Sequence, residues 1–110
     1  MEKCIFCKIR DGEINSKKYY EDEDSFIIAN ISPKAKKHYL FIPKRHYKLL
    51  ADQTAKDTEV LGKMLAKIPT LAKELGIENG FRLIINQGDD SGQEVPHLHV
   101  HILGGEKLGD

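Results

Sequence analysis

The chain has 110 residues, of which 40% are hydrophobic and 31% are charged, and its formal net charge at pH 7 is zero. This length suits a single core, so we predict one domain over residues 1–110. A chain without net charge has no overall field to attract nucleic acid, and no apolar stretch approaches the roughly 20 residues that cross a membrane, so neither partner is predicted.

The first half of the chain predicts one short helix and three strands. Ile5, Phe6 and Ile9 recur at helical spacing, which predicts a short helix ended by the turn at residues 11–12. Proline has no N–H for a strand ladder and is therefore predicted to end the second and third strands. These strands are predicted at residues 18–21, 25–28 and 38–42.

One long helix is predicted over residues 54–75, where apolar residues follow the 3.6-residue period. Gly76 suits the position just after a helix, and Pro69 should remove one backbone hydrogen bond and bend it. A strand over residues 81–86 follows, and a histidine-containing strand completes the chain. Because strands precede and follow one helix without regular alternation, the sequence predicts an α+β domain with an antiparallel sheet.

Three histidines occupy alternate positions near the C-terminus: His97, His99 and His101. Because successive side chains of a strand point to opposite faces, a strand here would place all three imidazoles on one face. Imidazole titrates near neutrality, can act as a nucleophile and binds metals. We therefore predict a functional site on this segment.

Two kinds of chemistry are open to these histidines. His-x-His can supply two ligands of a catalytic zinc site, but such a site needs acidic partners and only Glu94 lies nearby in the sequence. A nucleophile acting on phosphate needs an anion cradle, which backbone N–H groups of the glycine-rich loop 88–93 could form, with Asn86 adding an amide donor. The second arrangement predicts attack on phosphorus and a phosphohistidine-type intermediate that water resolves.

Four segments occur in an order typical of one known family: Ile31-Ser-Pro33, His38-Tyr-Leu-Phe-Ile-Pro-Lys44, Asn86 with Gly92-Gln93, and His97-Leu-His-Val-His-Ile-Leu103. With them the sequence resembles the histidine-triad (HIT) superfamily over residues 4–105, and most of all its Hint-like branch of nucleoside phosphoramidases. The resemblance implies an antiparallel sheet of about five strands with one long helix and a short N-terminal helix. It also implies a homodimer whose sheets join through the long helix and the strand after it.

The resemblance further implies a cleft that binds a purine nucleoside monophosphate or phosphoramidate. His99 would be the nucleophile, His101 would contact the phosphate, and His38 would support the proton network. The phosphate cradle would comprise Asn86, Gly92, Gln93 and the backbone around Glu94 and Val95. The slot for base and ribose would comprise Ile5, Phe6, Ile9, Ile28, Asn30 and Ile31. An apolar slot and a core look alike in sequence, so core packing of the apolar members is an equal alternative.

Two positions depart from the family pattern. Asn30 stands where a ribose-binding carboxylate is often found, and an amide cannot accept hydrogen bonds from both ribose hydroxyls as a carboxylate does. Glu94 replaces a serine that bonds the scissile region. Glu94 could donate a proton if its pKa were raised, but a solvent-exposed side chain is favoured, since most glutamates are exposed.

The pair Cys4 and Cys7 has the Cys-x₂-Cys spacing of half a structural zinc site. In relatives that carry this pair, the positions of His46 and His97 complete the tetrahedron, so the resemblance implies a structural Zn²⁺ on these four residues. The alternative is two buried free cysteines.

The N-terminus lacks the apolar segment of a secretion signal, which predicts a cytoplasmic protein with reduced thiols.

The leading hypothesis is therefore a purine nucleotide hydrolase or transferase that acts on nucleoside 5′-phosphoramidates through a nucleotidyl-His99 intermediate and needs no cofactor for catalysis. One alternative is a dinucleoside polyphosphate hydrolase of the same superfamily. A second is a non-catalytic nucleotide-binding module, and a third is a metal-binding protein that uses the three histidines as ligands.

Overall fold

An antiparallel sheet of five strands forms the centre of the structure, a computed structural model that describes residues 3–110. Met1 and Glu2 of the predicted domain lie outside the described residues. The strands are β1 (Tyr20–Glu21), β2 (Ser25–Ala29), β3 (Lys37–Pro43), β4 (Phe81–Ile84) and β5 (Val100–Gly104). Their spatial order is β1-β2-β3-β5-β4, and every neighbouring pair is antiparallel. The predicted fold class is thereby confirmed.

The three neighbouring histidines do not all lie on a strand, and this part of the prediction is wrong. Only His101 belongs to β5. The His97 N–H instead bonds to the Val95 carbonyl at 2.8 Å, and the Leu98 N–H bonds to the Tyr47 carbonyl at 2.7 Å. Local and loop contacts therefore take the backbone groups that a ladder would use, and β5 begins only at Val100. The strand predicted at residues 81–86 likewise ends early, at Ile84.

Two α-helices within residues 3–110 accompany the sheet, as predicted: α1 (Ile5–Arg10) and α2 (Ala55–Leu75). The N-terminus of α2 is capped by Thr54, whose hydroxyl accepts from the Asp57 N–H while the Asp57 carboxylate accepts from the Thr54 N–H. Gly76 ends the helix in the left-handed conformation that glycine adopts without a steric penalty. Pro69 lies inside α2, and the helix continues through it.

The sheet packs on both of its faces, because alternate side chains of β2 and β3 enter two separate apolar clusters. On one face Ile27, Phe41 and Ile102 pack with the buried residues of α2. On the other face, the cluster that includes the buried side of α1 consists of Phe6, Ile9, Phe26, Ile28, Leu40 and Ile42. Residues directly opposite each other in an antiparallel pair share a face, so the pairing of Leu40 with His101 places His101 on the α1 side.

No helix within residues 3–110 combines the length and the apolar character that crossing a membrane requires.

Candidate functional site

The five histidines of the chain form one connected group. His46 and His97 approach through their Nδ1 atoms at 3.1 Å, and His38 Nε2 lies 2.9 Å from His101 Nδ1. His99 links the two pairs, because it bonds to the backbone of His97 and its ring lies 4.9 Å from that of His101. The structure therefore brings together every histidine that the sequence singled out.

One end of this group is a cluster of the four predicted metal ligands, Cys4, Cys7, His46 and His97. The six separations between their Sγ and Nδ1 atoms run from 3.1 to 3.6 Å. The corners of a regular tetrahedron with such edges lie about 1.9–2.2 Å from its centre, close to the Zn–N distance of about 2.0–2.1 Å and the Zn–S distance of about 2.3 Å. The donor set and its geometry thus fit a four-coordinate zinc ion.

The position of the hydrogen on the His97 ring also suits this residue to be a metal ligand. Its Nε2–H donates to the Pro43 carbonyl at 2.7 Å, so the lone pair of the neutral ring is on Nδ1, which faces the cluster. Burial lowers the pKa of His97 to about 4, which keeps the ring neutral near pH 7. Burial raises the pKa of the Cys7 thiol, so a Cys7 thiolate needs a neighbouring cation to stabilise it.

Tertiary contacts bring the ligands together from three distant segments. Cys4 is the N-cap of α1, where its sulfur accepts from the Cys7 N–H. The segment before His46 is held at two points. Arg10 of α1 donates to the Lys44 carbonyl at 2.7 Å, and Arg45 forms an ion pair with the buried carboxylate of Asp57. Neither anchor was predicted, because no local pattern marks a contact between residues so far apart in sequence.

His99, the predicted nucleophile, is buried and held by the backbone. Its Nδ1–H donates to the carbonyl of His97 at 2.8 Å, which leaves the lone pair of the neutral ring on Nε2. Burial lowers the pKa of His99 and so favours this neutral form. The ring of Phe6 packs edge-on against it at 5.1 Å and against His97 at 5.8 Å. His99 is therefore a neutral imidazole with an unprotonated Nε2.

His101 and His38 form the other end of the group. His101 Nε2 lies 3.4 Å from the amide nitrogen of Asn86, and His38 Nδ1 accepts from the Lys34 N–H at 3.0 Å. Burial is the main cause that lowers the pKa of His101 to about 4, and repulsion from His99 and His38 in their protonated forms and from Lys34 acts in the same direction. Burial and the charge of Lys34 lower the pKa of His38 as well. Both rings are neutral near pH 7.

The glycine-rich loop uses several of its predicted phosphate-binding groups internally. The Gln93 side chain accepts from the Gly88 N–H at 2.8 Å and donates to the carbonyls of Lys48 and Val95. The N–H groups of Gly92 and Gln93 bond to the carbonyls of Asp89 and Gly88 within the loop. The N–H groups of Glu94 and Val95 have no partner among residues 3–110, and these two remain free to bind an anion.

The predicted base and ribose slot divides into core and surface residues. Phe6, Ile9 and Ile28 belong to the apolar cluster on the α1 side, as the alternative of core packing proposed. Ile5 is 46% exposed and Ile31 is 96% exposed, so these two side chains are available to a ligand. The remaining member, Asn30, is half-buried. The Glu94 side chain is exposed, in keeping with the solvent-facing alternative.

Comparison with known proteins identifies the family. The HIT domain matches residues 11–108, and the chain belongs to the HIT family. It is 45% identical over 104 residues to protein HitA of Neisseria gonorrhoeae, covering 94% of this chain and 97% of HitA. The HIT family hydrolase from Legionella pneumophila is 38% identical with a TM-score of 0.89, covering 97% of this chain and 96% of that one. A zinc-bound histidine triad family protein from Mycobacterium smegmatis is 31% identical with a TM-score of 0.81. The match covers 94% of this chain and 75% of that one.

The lowered pKa of His101 can be measured directly. We expect the ring to titrate near pH 4 rather than near 6.5, because burial disfavours its charged form. Since this folded-state pKa lies below the unfolded one, the contribution of His101 to stability is complete above about pH 6.5 and declines as the pH falls toward 4. Side-chain NMR resonances followed from pH 7.5 downward would report the titration.

Lys34→Ala is the matched variant for this measurement. It removes one positive charge and should raise the pKa of both His101 and His38 slightly. A His101 ring that titrates near 6.5 in the wild-type protein would show that burial does not control its charge.

Proposed function

We propose that this protein hydrolyses purine nucleoside 5′-phosphoramidates through a covalent nucleotidyl-His99 intermediate, as in the Hint-like branch of the family. The observation that carries the proposal is the bond from His99 Nδ1–H to the His97 carbonyl, which leaves the nucleophilic lone pair on Nε2. A buried neutral imidazole needs no deprotonation before it attacks. The Legionella pneumophila relative, described as a hydrolase, is in keeping with this chemistry.

The proposed reaction has two steps. His99 Nε2 forms a bond to the α-phosphorus while the phosphorus–nitrogen bond of the substrate breaks, and the amine leaves with a proton from solvent. Water then attacks the same phosphorus and the bond to Nε2 breaks, which releases nucleoside monophosphate and a proton and restores His99. Such transfers depend mainly on positioning and on stabilisation of charge on the phosphoryl oxygens.

Neighbouring groups would supply that stabilisation. The N–H groups of Glu94 and Val95, which have no partner among residues 3–110, can bind phosphoryl oxygens, and His101 and the amide of Asn86 would add further donors. The exposed side chains of Ile5 and Ile31 would contact the purine base, and Asn30 the ribose.

We further propose that Cys4, Cys7, His46 and His97 hold a structural Zn²⁺. The support is the tetrahedral arrangement of their four donor atoms. Zinc bound to four protein ligands has no open position for substrate, so its contribution would be to hold α1, the segment at His46 and the segment before β5 together. The two thiolates would require a reducing compartment, in keeping with the predicted cytoplasmic location.

The predicted homodimer is also part of this proposal. β4 lies at the edge of the sheet, with one side of its backbone unpaired, and Leu83 and Ile84 on it are each 37% exposed. An open edge with apolar side chains is the kind of surface that pairs with a second strand. Pairing of two β4 strands would join the sheets of two copies and cover these residues.

His99→Ala should abolish hydrolysis, lowering kcat by at least about a thousandfold, because no other group replaces the nucleophile. Nucleoside monophosphate should still bind to this variant in calorimetry. Mass spectrometry of the wild-type protein quenched during turnover should show a nucleotidyl adduct on His99. Undiminished hydrolysis by His99→Ala would refute the assignment.

The same assay should include a dinucleoside polyphosphate. Faster turnover of that compound than of the phosphoramidate would move the protein to the alternative branch of the superfamily. Binding of nucleoside monophosphate with no release of amine from any substrate would instead identify a non-catalytic binding module.

The purified protein should contain about one zinc per chain, and Cys4→Ser should lose it, because a structural site needs all four ligands. His38→Asn is the matched control, since His38 lies outside the cluster and its variant should keep the metal. Elemental analysis gives the metal content, and a chelator should lower the melting temperature of the wild-type protein. A protein without metal that takes up none from added Zn²⁺ would leave two buried free cysteines as the correct interpretation.

Light scattering after size exclusion should give twice the chain mass, and Leu83→Glu should give the monomer by placing a charge on the exposed edge. Ile14→Glu is the matched control, because Ile14 is 38% exposed and lies outside β4 and α2. A wild-type monomer at tens of micromolar chain would remove the dimer from the proposal.

A further inference from the structure

We propose that the backbone N–H of Lys34 determines which nitrogens of His38 and His101 carry hydrogen, so that His101 presents a protonated Nε2 to the substrate while its ring is neutral. The arrangement of donors follows from the hydrogen bonds that two neutral rings can make. Its catalytic consequence rests on the function proposed above.

The first step concerns His38. Its Nδ1 lies 3.0 Å from the N–H of Lys34, in a geometry that makes the backbone group the donor. A backbone N–H can only donate, so Nδ1 of His38 must accept and cannot carry hydrogen. The hydrogen of the neutral His38 ring is therefore on Nε2.

The second step is the direction in which this Nε2–H points. Two groups lie near it: the Asn30 amide nitrogen at 3.3 Å and His101 Nδ1 at 2.9 Å. The amide of Asn30 cannot turn its oxygen toward His38, because that oxygen accepts from the Ser32 N–H at 2.9 Å. The amide nitrogen is a donor and cannot accept, so His38 donates to His101 Nδ1.

The third step concerns His101. Because Nδ1 accepts from His38, the hydrogen of the neutral His101 ring is on Nε2. The amide nitrogen of Asn86 lies 3.4 Å from Nε2 and is itself a donor, so this side chain accepts the hydrogen only if its amide oxygen turns toward the ring. Burial keeps both histidine rings neutral, as their lowered pKa values indicate. The Nε2–H of His101 is therefore available to a phosphoryl oxygen.

This order of donors also limits what the pair can do. If His101 gave its Nε2 proton to a leaving amine, a replacement proton on Nδ1 would have to come from His38 Nε2. His38 would then have no proton on either nitrogen, because Lys34 continues to donate to Nδ1. The pair therefore stabilises charge by hydrogen bonding and does not relay a proton, and the leaving amine takes its proton from solvent.

Long-range ¹H–¹⁵N correlation spectra of the zinc-loaded, ¹⁵N-labelled protein at pH 7.5 test the inference without an activity assay. We expect Nδ1 unprotonated and Nε2 protonated in both His38 and His101. A protonated Nδ1 in either ring overturns it. The wild-type spectrum is decisive by itself, so a variant that fails to fold does not prevent the test.

Two variants test the origin of the pattern. Lys34→Pro removes the N–H and should give a mixture of protonation patterns in both rings, whereas Lys34→Ala keeps the N–H and should leave the pattern unchanged. Asn30→Asp places an accepting oxygen beside His38 Nε2 and should draw its hydrogen away from His101. A wild-type pattern in folded Lys34→Pro would show that Lys34 does not determine it.

Kinetics separate this inference from the proposed function. Lys34→Pro should slow formation of the nucleotidyl adduct about tenfold or more relative to Lys34→Ala, because one donor to the phosphoryl oxygens is lost. Equal rates in the two variants would overturn the catalytic role of the donor order. If the expected spectrum is seen but no adduct forms in the wild-type protein, the donor order stands and the proposed function fails.

Discussion

The arrangement of the candidate site depends on one residue, His97, which takes part in two interactions at once. Its side chain places Nδ1 among the sulfur and nitrogen atoms of Cys4, Cys7 and His46, and its backbone carbonyl accepts the Nδ1–H of His99. A shift of the His97 backbone would therefore disturb both the four-residue cluster and the carbonyl that orients the His99 ring. Phe6 connects the two regions a second time, since its ring contacts both histidines from a position between the two cysteines.

Burial governs the chemistry of the histidines more than any single charge does. The pKa values of His38, His97, His99 and His101 are all lowered, and the first cause in each is removal from water. A neutral imidazole has one N–H and one nitrogen lone pair, and the position of the hydrogen decides which nitrogen can donate and which can bind a metal or attack a substrate. In this site, backbone groups fix the position of the hydrogen on each ring. They are the Pro43 carbonyl for His97, the His97 carbonyl for His99, and the Lys34 N–H for His38.

The main elements and candidate residues could be predicted from sequence. The apolar period over α2, the glycine after its end and the strand-forming segments led to the α+β class that the structure has. The Cys-x₂-Cys pair and the resemblance to relatives identified the four residues that cluster. The alternate spacing of His97, His99 and His101 predicted the position of the last strand less well. The backbone N–H groups of His97 and Leu98 bond to carbonyl groups outside any ladder, so two of the three precede β5.

The sequence by itself determined which side chains could carry the chemistry, because residue type and spacing are properties of the chain. Only the tertiary structure decided how those side chains are protonated and which loop groups remain free for a ligand. Gln93 illustrates the difference: it was predicted in the phosphate cradle, yet its amide bonds to Gly88, Lys48 and Val95 and so braces the loop. Backbone N–H and carbonyl groups occur at nearly every position, so no sequence pattern distinguishes the few that face a histidine. Their roles are set by distances between segments that fold together from far apart in the chain.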